Sequence, residues 1–135
     1  MRSVYKPGDS KSHSFKVTDK NFPDFGNSIV HDVCATYTLA KEIEWASRLF
    51  VLDMLEKNEE GIGTLITIEH VNPAFLNEPV RIKTTVVSLK GHELLCSYVA
   101  TVGSRIIAKG RTGQKILEKR KLISRFSTLQ QGGKK

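Results

Sequence analysis

Three side chains of this 135-residue chain, Thr36, Glu44 and His70, are of types that together can perform nucleophilic or acid–base chemistry. A carboxylate can attack an electrophilic carbon or activate a water molecule, and a hydroxyl group can orient it. An imidazole, whose ordinary pKa is about 6.5, can carry the proton. Each residue also has a simpler interpretation, since His70 can be a core histidine and Glu44 a carboxylate at a helix rim. The chemical interpretation depends on the fold bringing them together.

One long helical pattern, between residues 34 and 57, carries both Thr36 and Glu44. Its apolar and small residues recur at spacings of three and four, which is typical of one buried helix face; they are Leu39, Ala40, Ile43, Ser47, Phe50, Val51 and Met54. Thr38 is the predicted N-cap, and Asn58 with Gly61 the predicted stop. Glu44 lies at the margin of this face, where a half-buried carboxylate needs a proton, a donor or a function.

Beyond the helix, the apolar pattern changes to a period of two, which is typical of β-strands. Strands are predicted at residues 61–71, 79–90, 93–102 and 105–117, with a weaker one before the helix at 12–18. In the first of the four, His70 shares its face with Ile66 and Ile68. We therefore expect the His70 imidazole and the Glu44 carboxylate to meet on one interior surface.

The order of these elements predicts an α+β fold. Consecutive strands joined by short turns pair antiparallel, and the economical packing is a curved sheet wrapped around the one long helix. Gly110 and Gly113 in the last strand indicate a bulge or the close approach of another backbone. One helix cannot cover both faces and the edges of such a sheet, so we expect at least a dimer. Residues 1–126 are predicted to form a single domain, and residues 127–135 a disordered basic tail.

The net charge of +7 is concentrated at the C-terminal end. Residues 115–135 contain seven Lys or Arg and one acid, whereas residues 1–114 are almost neutral. Because no aromatic residues alternate with these basic ones, apart from Phe126, a nucleic-acid partner is not expected. Without a long apolar run, a signal-peptide core or a cysteine framework, the composition favours a cytoplasmic protein with no membrane partner and no metal.

Two motifs together resemble a known family. Cys34-Ala-Thr36, followed by Glu44-Trp45-Ala46, is similar to the helix start of hotdog-fold thioesterases of the fluoroacetyl-CoA thioesterase type. The stretch from Gly63 to His70, continued by Val-Asn-Pro, resembles that family's strand with its active-site histidine. The later Pro79-Val80, Gly91 and Gly110 also match, so that the resemblance spans residues 29–123.

The resemblance implies a hotdog fold, dimeric or a dimer of dimers, with a pocket for an acyl-CoA substrate between subunits. Thr36, Glu44 and His70 match the catalytic residues, and Gly63 matches a glycine beside the thioester. Coenzyme A is then part of the substrate, and no separate cofactor is implied. The implied activity is hydrolysis of a small acyl-CoA thioester, with Glu44 as either nucleophile or general base. The alternative is a protein of the same fold that binds acyl-CoA or another small ligand without hydrolysing it.

The expected substrate-contacting residues also include Cys34, Phe22 and Phe25. The two phenylalanines lie in a long loop, residues 19–31, of the kind that often forms a lid or a binding edge. They stand upstream of the stretch, residues 27–30, where the family's prototype carries aromatic residues over its substrate. Simple packing of the two rings is the alternative to a role in binding.

Overall fold

The computed structural model describes residues 1–24 and 31–133, so the predicted role of Phe25 lies outside the described residues. The long helix is α1, Thr36–Met54, and a second helix, α2, covers Lys119–Gly133. A short 3-10 helix lies at Asp19–Asn21. The strands are β1 (Ser10–Lys16), β2 (Glu59–Ile66), β3 (Glu69–His70), β4 (Pro79–Lys90), β5 (Glu93–Val102) and β6 (Arg105–Glu118).

All strands of the described chain belong to one antiparallel sheet, in the order β1-β4-β5-β6-β2, with β3 also paired to β6. The sheet curls around α1, which packs against β1, β2, β4, β5 and β6. Two apolar clusters fill the space between helix and sheet, one around Leu39 and Ile43 and the other around Phe50 and Met54. The predicted architecture is therefore confirmed.

Helix α1 begins earlier than its predicted cap. The N-cap is Ala35, and Thr38 is a buried residue inside the helix whose hydroxyl donates to the Asn21 carbonyl oxygen. The predicted N-cap was wrong because Thr38 satisfies its hydroxyl through a tertiary contact, and not through the helix start. The helix also ends before the predicted stop, since Leu55 is already in the extended region.

Strands β2 and β3 follow the same edge of β6, but their register is broken. The pairing shifts between Gly63 and Leu65, so an extra residue enters the strand there. Beyond this shift Leu65 and Ile66 are both exposed, although Ile66 was expected to share the buried face. Gly110 lies so close to Thr67 that a Cβ atom there would overlap the Thr67 carbonyl oxygen, which confirms the expected close approach.

The C-terminal segment differs from its prediction, because α2 continues through Gly133 where disorder was expected from residue 127. Leu122 anchors the helix against the sheet, whereas Ile123, Phe126 and Leu129 are exposed. Apolar residues at these spacings make α2 amphipathic, a pattern that the basic composition of the segment conceals. Neither helix, within the part of the chain described, is long and apolar enough to cross a membrane.

Candidate active site

The first half of the predicted site is a hydrogen-bonded pair, Thr36 and His70. Thr36 is the first residue of α1, and His70 is the last residue of β3. Their side chains meet with 2.9 Å between Thr36 Oγ1 and His70 Nδ1. The helix start and the strand end thus hold the imidazole in a fixed orientation, as a proton carrier requires.

The other ring nitrogen of His70, Nε2, is enclosed and has no hydrogen-bond partner among the described residues. A buried nitrogen without a partner is costly, and a ligand or a second chain that supplied a partner would remove this cost. With Nδ1 bonded to Thr36, Nε2 is the ring nitrogen that still lacks a partner, and a reacting group would have to be brought to it. A shallow hollow lined by His70, Val71 and Asn72 opens at this end of β3.

The second half of the site is Glu44 against Gly63. Glu44 lies two turns into α1 with an exposed side chain, so its carboxylate remains accessible to a ligand. Gly63 on β2 faces it so closely that a Cβ atom there would lie 2.7 Å from Glu44 Oε1. A larger residue at this position would displace the carboxylate from where it now lies.

Within one chain, the two halves do not touch. Thr36 and Glu44 are eight residues apart on α1, which at about 1.5 Å per residue separates them by about 12 Å along the helix. No hydrogen bond joins Glu44 to His70 in the described residues, so the expected meeting of carboxylate and imidazole on one interior surface was wrong for a single chain. The rise of the helix separates the two side chains, because His70 contacts the first turn of α1, whereas Glu44 lies about two turns later, beside Gly63.

A cavity of about 220 Å³ lies on the sheet side of Glu44. Its lining is drawn from β2 and β6 as well as from the helix: Glu44, Gly63, Thr64, Leu65, Ile66, Thr112 and Gln114. Gln114 pairs with Gly63 in the sheet register and is only 2% exposed. Its Nε2 lies 3.4 Å from both the Glu44 carbonyl oxygen and Ser47 Oγ. The amide thus ties the Glu44 turn of α1 to the strand opposite Gly63.

Toward β1, Glu44 also borders an open cleft of about 500 Å³. The cleft contains Trp45, 44% exposed, between Lys41 and Arg48. Its far wall is a His13–Glu42 pair, with 2.8 Å between Nε2 and Oε2. Arg48 donates to the Gly61 carbonyl oxygen at 3.1 Å and lies 3.6 Å from Glu60. Glu44 therefore borders two spaces, a smaller cavity toward β2 and β6 and a larger cleft toward β1.

Two other predicted substrate contacts lie in the core. Phe22 is 7% exposed and packs in the same apolar cluster as Leu39. Cys34 is 1% exposed, and burial, with a smaller contribution from the charge of Glu42, raises the pKa of its thiol to about 11. Such a thiol stays protonated at neutral pH and is a poor nucleophile. A substrate contact by either residue stays a prediction that its burial does not favour.

Sequence reasoning missed Gln114, Trp45 as a cleft residue, and Arg48. The available signal was the alternation along β6, where buried positions fall at Thr112, Gln114 and Ile116. Two polar side chains in succession on the buried side of a strand depart from the pattern of a core strand. That departure marks the floor of the cavity beside Glu44.

Comparison with known proteins gives a consistent result. The model of a family described as fluoroacetyl-CoA-specific thioesterase, FlK, matches residues 17–120. Among solved structures, a hypothetical protein of Thermus thermophilus, a thioesterase superfamily member, is 30% identical to this chain. It superimposes with a TM-score of 0.88 and covers 99% of this chain and 98% of that chain. No curated protein sequence matches.

Two further structures share the fold at lower identity. A mutant of the fluoroacetyl-CoA-specific thioesterase FlK, solved with fluoroacetate and CoA, is 22% identical, with a TM-score of 0.78 over 87% of this chain and 99% of that chain. A hot-dog-like protein from Thermanaerovibrio acidaminovorans is 16% identical, with a TM-score of 0.82 over 90% of each chain. The hotdog fold expected from the sequence is confirmed.

Proposed function

Because the chain belongs to the fluoroacetyl-CoA-specific thioesterase family and is a thioester hydrolase, we propose that it hydrolyses a small acyl-CoA with Thr36, Glu44 and His70. The observation that carries the assignment is the pairing of Thr36 Oγ1 with His70 Nδ1 at 2.9 Å, combined with the accessible Glu44 carboxylate beside Gly63. These are the proton carrier and the carboxylate that thioester hydrolysis requires.

The reaction has two routes that use the same residues. In one, a Glu44 oxygen attacks the thioester carbonyl carbon, the C–S bond breaks, and water then hydrolyses the mixed anhydride. In the other, Glu44 takes a proton from a water molecule that attacks the carbonyl carbon directly. In both, the departing CoA thiolate receives a proton, which the His70 imidazole is suited to donate. The free backbone N–H groups at the start of α1 are suited to donate to the developing oxyanion.

A homodimer would unite the two half-sites. Strand β2 ends the sheet order of the described chain, and Leu65, Ile66 and Val71 are exposed along this edge. Antiparallel pairing of the edge with its own copy, about a two-fold axis near residues 66–67, would set Gly63 of one chain opposite His70 of the other. An isologous contact of this kind satisfies the free edge and covers its apolar side chains. Glu44 of one chain would then meet the imidazole of its partner.

The catalytic assignment is tested by Glu44→Gln, with release of free CoA thiol measured on a panel of short, branched and aromatic acyl-CoAs. Gln keeps the shape but is neither nucleophile nor base, so kcat/KM should fall by about 10³-fold or more while the fold survives. Glu93→Gln, at an exposed carboxylate on β5, is the matched control. Activity of Glu44→Gln within a few-fold of wild type would reject the assignment. Binding without turnover by the wild type would favour the non-hydrolytic alternative.

The shared site is tested by mixing two inactive variants, Glu44→Gln and His70→Ala. Random exchange of subunits makes half of the dimers mixed, and each mixed dimer regains one of its two sites. The mixture should therefore recover about a quarter of wild-type activity, if each site acts independently. Light scattering at micromolar concentration should give the mass of a dimer or larger. No recovery on mixing, from a protein that scatters as a monomer, would contradict the shared site.

A further inference from the structure

The buried amide of Gln114 has a hydrogen-bonding capacity that the described protein leaves unused. Its Nε2 lies 3.4 Å from the Glu44 carbonyl oxygen and from Ser47 Oγ, but its Oε1 is enclosed without any partner. The orientation of the amide is fixed by chemistry, because a carbonyl oxygen only accepts and must face the N–H group. Oε1 is therefore the group turned away from the helix backbone.

A buried acceptor in this state costs free energy until a donor reaches it. Gln114 lines the cavity of about 220 Å³ that also contains Glu44 and Gly63, the groups proposed to flank the thioester carbon. A substrate whose thioester lies beside Glu44 would extend its acyl group into one of the two spaces that Glu44 borders and its pantetheine arm into the other. The cleft toward β1 is more than twice as large, so the smaller cavity suits the acyl group and the cleft suits the longer arm.

We propose that Gln114 is a specificity-determining residue whose Oε1 accepts a hydrogen bond from the acyl group, so that the preferred substrates are short hydroxyacyl-CoA thioesters. This inference rests on the proposed function and names its substrate class. The cavity is smaller than the range of about 300–1,000 Å³ that is typical of pockets for larger ligands, which favours short acyl groups. The unused acceptor requires a donor, and a hydroxyl group on the acyl chain supplies one without adding charge to the cavity.

The expected discrimination follows from the cost of an unpaired buried group. A site built to bond a substrate hydroxyl rejects the analogue without it far more strongly than an apolar pocket rejects an added methylene. Hydroxyacetyl-CoA and propionyl-CoA are a matched pair, since they differ by OH in place of CH₃. 3-Hydroxypropionyl-CoA and butyryl-CoA form the same pair one carbon longer. We expect wild-type kcat/KM to favour the hydroxyl member of at least one pair by about tenfold or more.

Substitution by methionine provides the direct test, since Gln114→Met preserves length and removes both polar atoms. The preference within the pair should fall by about tenfold or more, with propionyl-CoA retained or improved as a substrate. The ratio within one variant is independent of the fraction that folds. Thr84→Val is the matched control, because Thr84 Oγ1 is also buried without a partner but belongs to β4, outside the cavity lining. It should leave the ratio unchanged.

Binding separates this inference from the proposed function. Dissociation constants of the same four thioesters, measured by calorimetry on Glu44→Gln, report the subsite without turnover. A hydroxyl preference in binding without hydrolysis by the wild type would reject the proposed function and keep the subsite. Equal kcat/KM and equal affinity within both pairs would overturn the inference and assign Oε1 to a structural water. An unchanged preference for the hydroxyl thioester in folded Gln114→Met would also overturn the inference. If that variant does not fold, the ratios of kcat/KM within the two pairs, measured on the wild type, decide the question.

Discussion

Replacing Gly63 by alanine would test whether the position of the Glu44 carboxylate controls turnover. A methyl group on Gly63 would lie 2.7 Å from Glu44 Oε1 and 3.5 Å from Glu44 Cδ. Ordinary van der Waals contact begins at 3.4 Å, so the oxygen must retreat by about 0.7 Å. Because Glu44 is an exposed, flexible side chain, it can make this movement at little cost to the fold.

The catalytic cost should be much larger than the structural one. A misplacement of about 1 Å in a reacting group can lower the rate by about 10²-fold, so a retreat of about 0.7 Å predicts a 10- to 100-fold fall in kcat. The free energy of unfolding should stay within about 0.5 kcal/mol of wild type, as expected for a change that moves only a surface side chain. The assay is thiol release at saturating acyl-CoA, with urea denaturation of the same samples.

The matched control is Gly61→Ala, two residues away on the same strand. Its new methyl group would lie 2.5 Å from Val51 Cγ1, and Val51 is fully buried. Overpacking of this kind should cost about 1–3 kcal/mol of stability, with turnover per folded molecule largely retained. The two variants thus have opposite signatures. A folded Gly63→Ala enzyme with kcat within twofold of wild type would refute the argument that Gly63 leaves room for the carboxylate.

Three further predictions concern other parts of the molecule. Thr36→Val removes the hydroxyl that is bonded to His70 and should lower kcat by about 10²-fold, whereas Thr36→Ser should retain most of the activity. An equal loss of activity in the two variants would contradict the role of the hydroxyl. Burial raises the thiol pKa of Cys34 to about 11 and that of Cys96 to about 12. Both thiols should therefore stay protonated at pH 8 and should not react with a thiol reagent until the protein unfolds. Rapid labelling of the native protein would contradict this prediction. Neutralising the three basic residues at the start of α2, Lys119, Arg120 and Lys121, should raise KM a few-fold because attraction to the CoA phosphates is lost, and the effect should be larger at low ionic strength. The control neutralises Lys16, Lys83 and Lys90. A KM equal to that of the wild type at low salt would show that the three residues only face solvent.

Periodicity predicted the framework because the fold follows from it directly. Strand β4 spans the predicted residues, and β6 is one residue longer at its end. These strands are long and separated by turns, with Gly91 and Gly103 at positive φ, a conformation that glycine adopts without strain. The identities of Thr36, Glu44 and His70 as candidates also came from residue types and the resemblance. Their local contacts could not be read from either source.

The rest depended on contacts between distant segments. The start of α1 was missed because Thr38 bonds the Asn21 carbonyl oxygen, which local capping preferences do not anticipate. The exposure of Ile66 was missed because alternation does not show where a strand ends the sheet; Leu65 and Ile66 are both exposed at this free end of the sheet order. The site is divided into two halves because β2 and β3 both pair with the same edge of β6. Gly63 on β2 and His70 on β3 are seven residues apart in sequence and so lie at different points along that edge.

The stretch of chain around Gly63 bears on both the stability of the sheet edge and the proposed catalysis. The edge strands of β-sheets are usually protected by charged residues, by proline or by a covering loop. Strand β2, which contains Gly63, instead exposes Leu65 and Ile66 at the edge of the sheet. Such an edge is a liability in a monomer, whereas a second copy would bury it and supply the missing half of each site. The register shift between Gly63 and Leu65 also interrupts regular pairing at the place where Glu44 approaches the strand. If the proposed dimer forms, charged or proline residues that protected this edge would also block the approach of His70 from the partner chain to Glu44, which gives a physical reason for an apolar edge here.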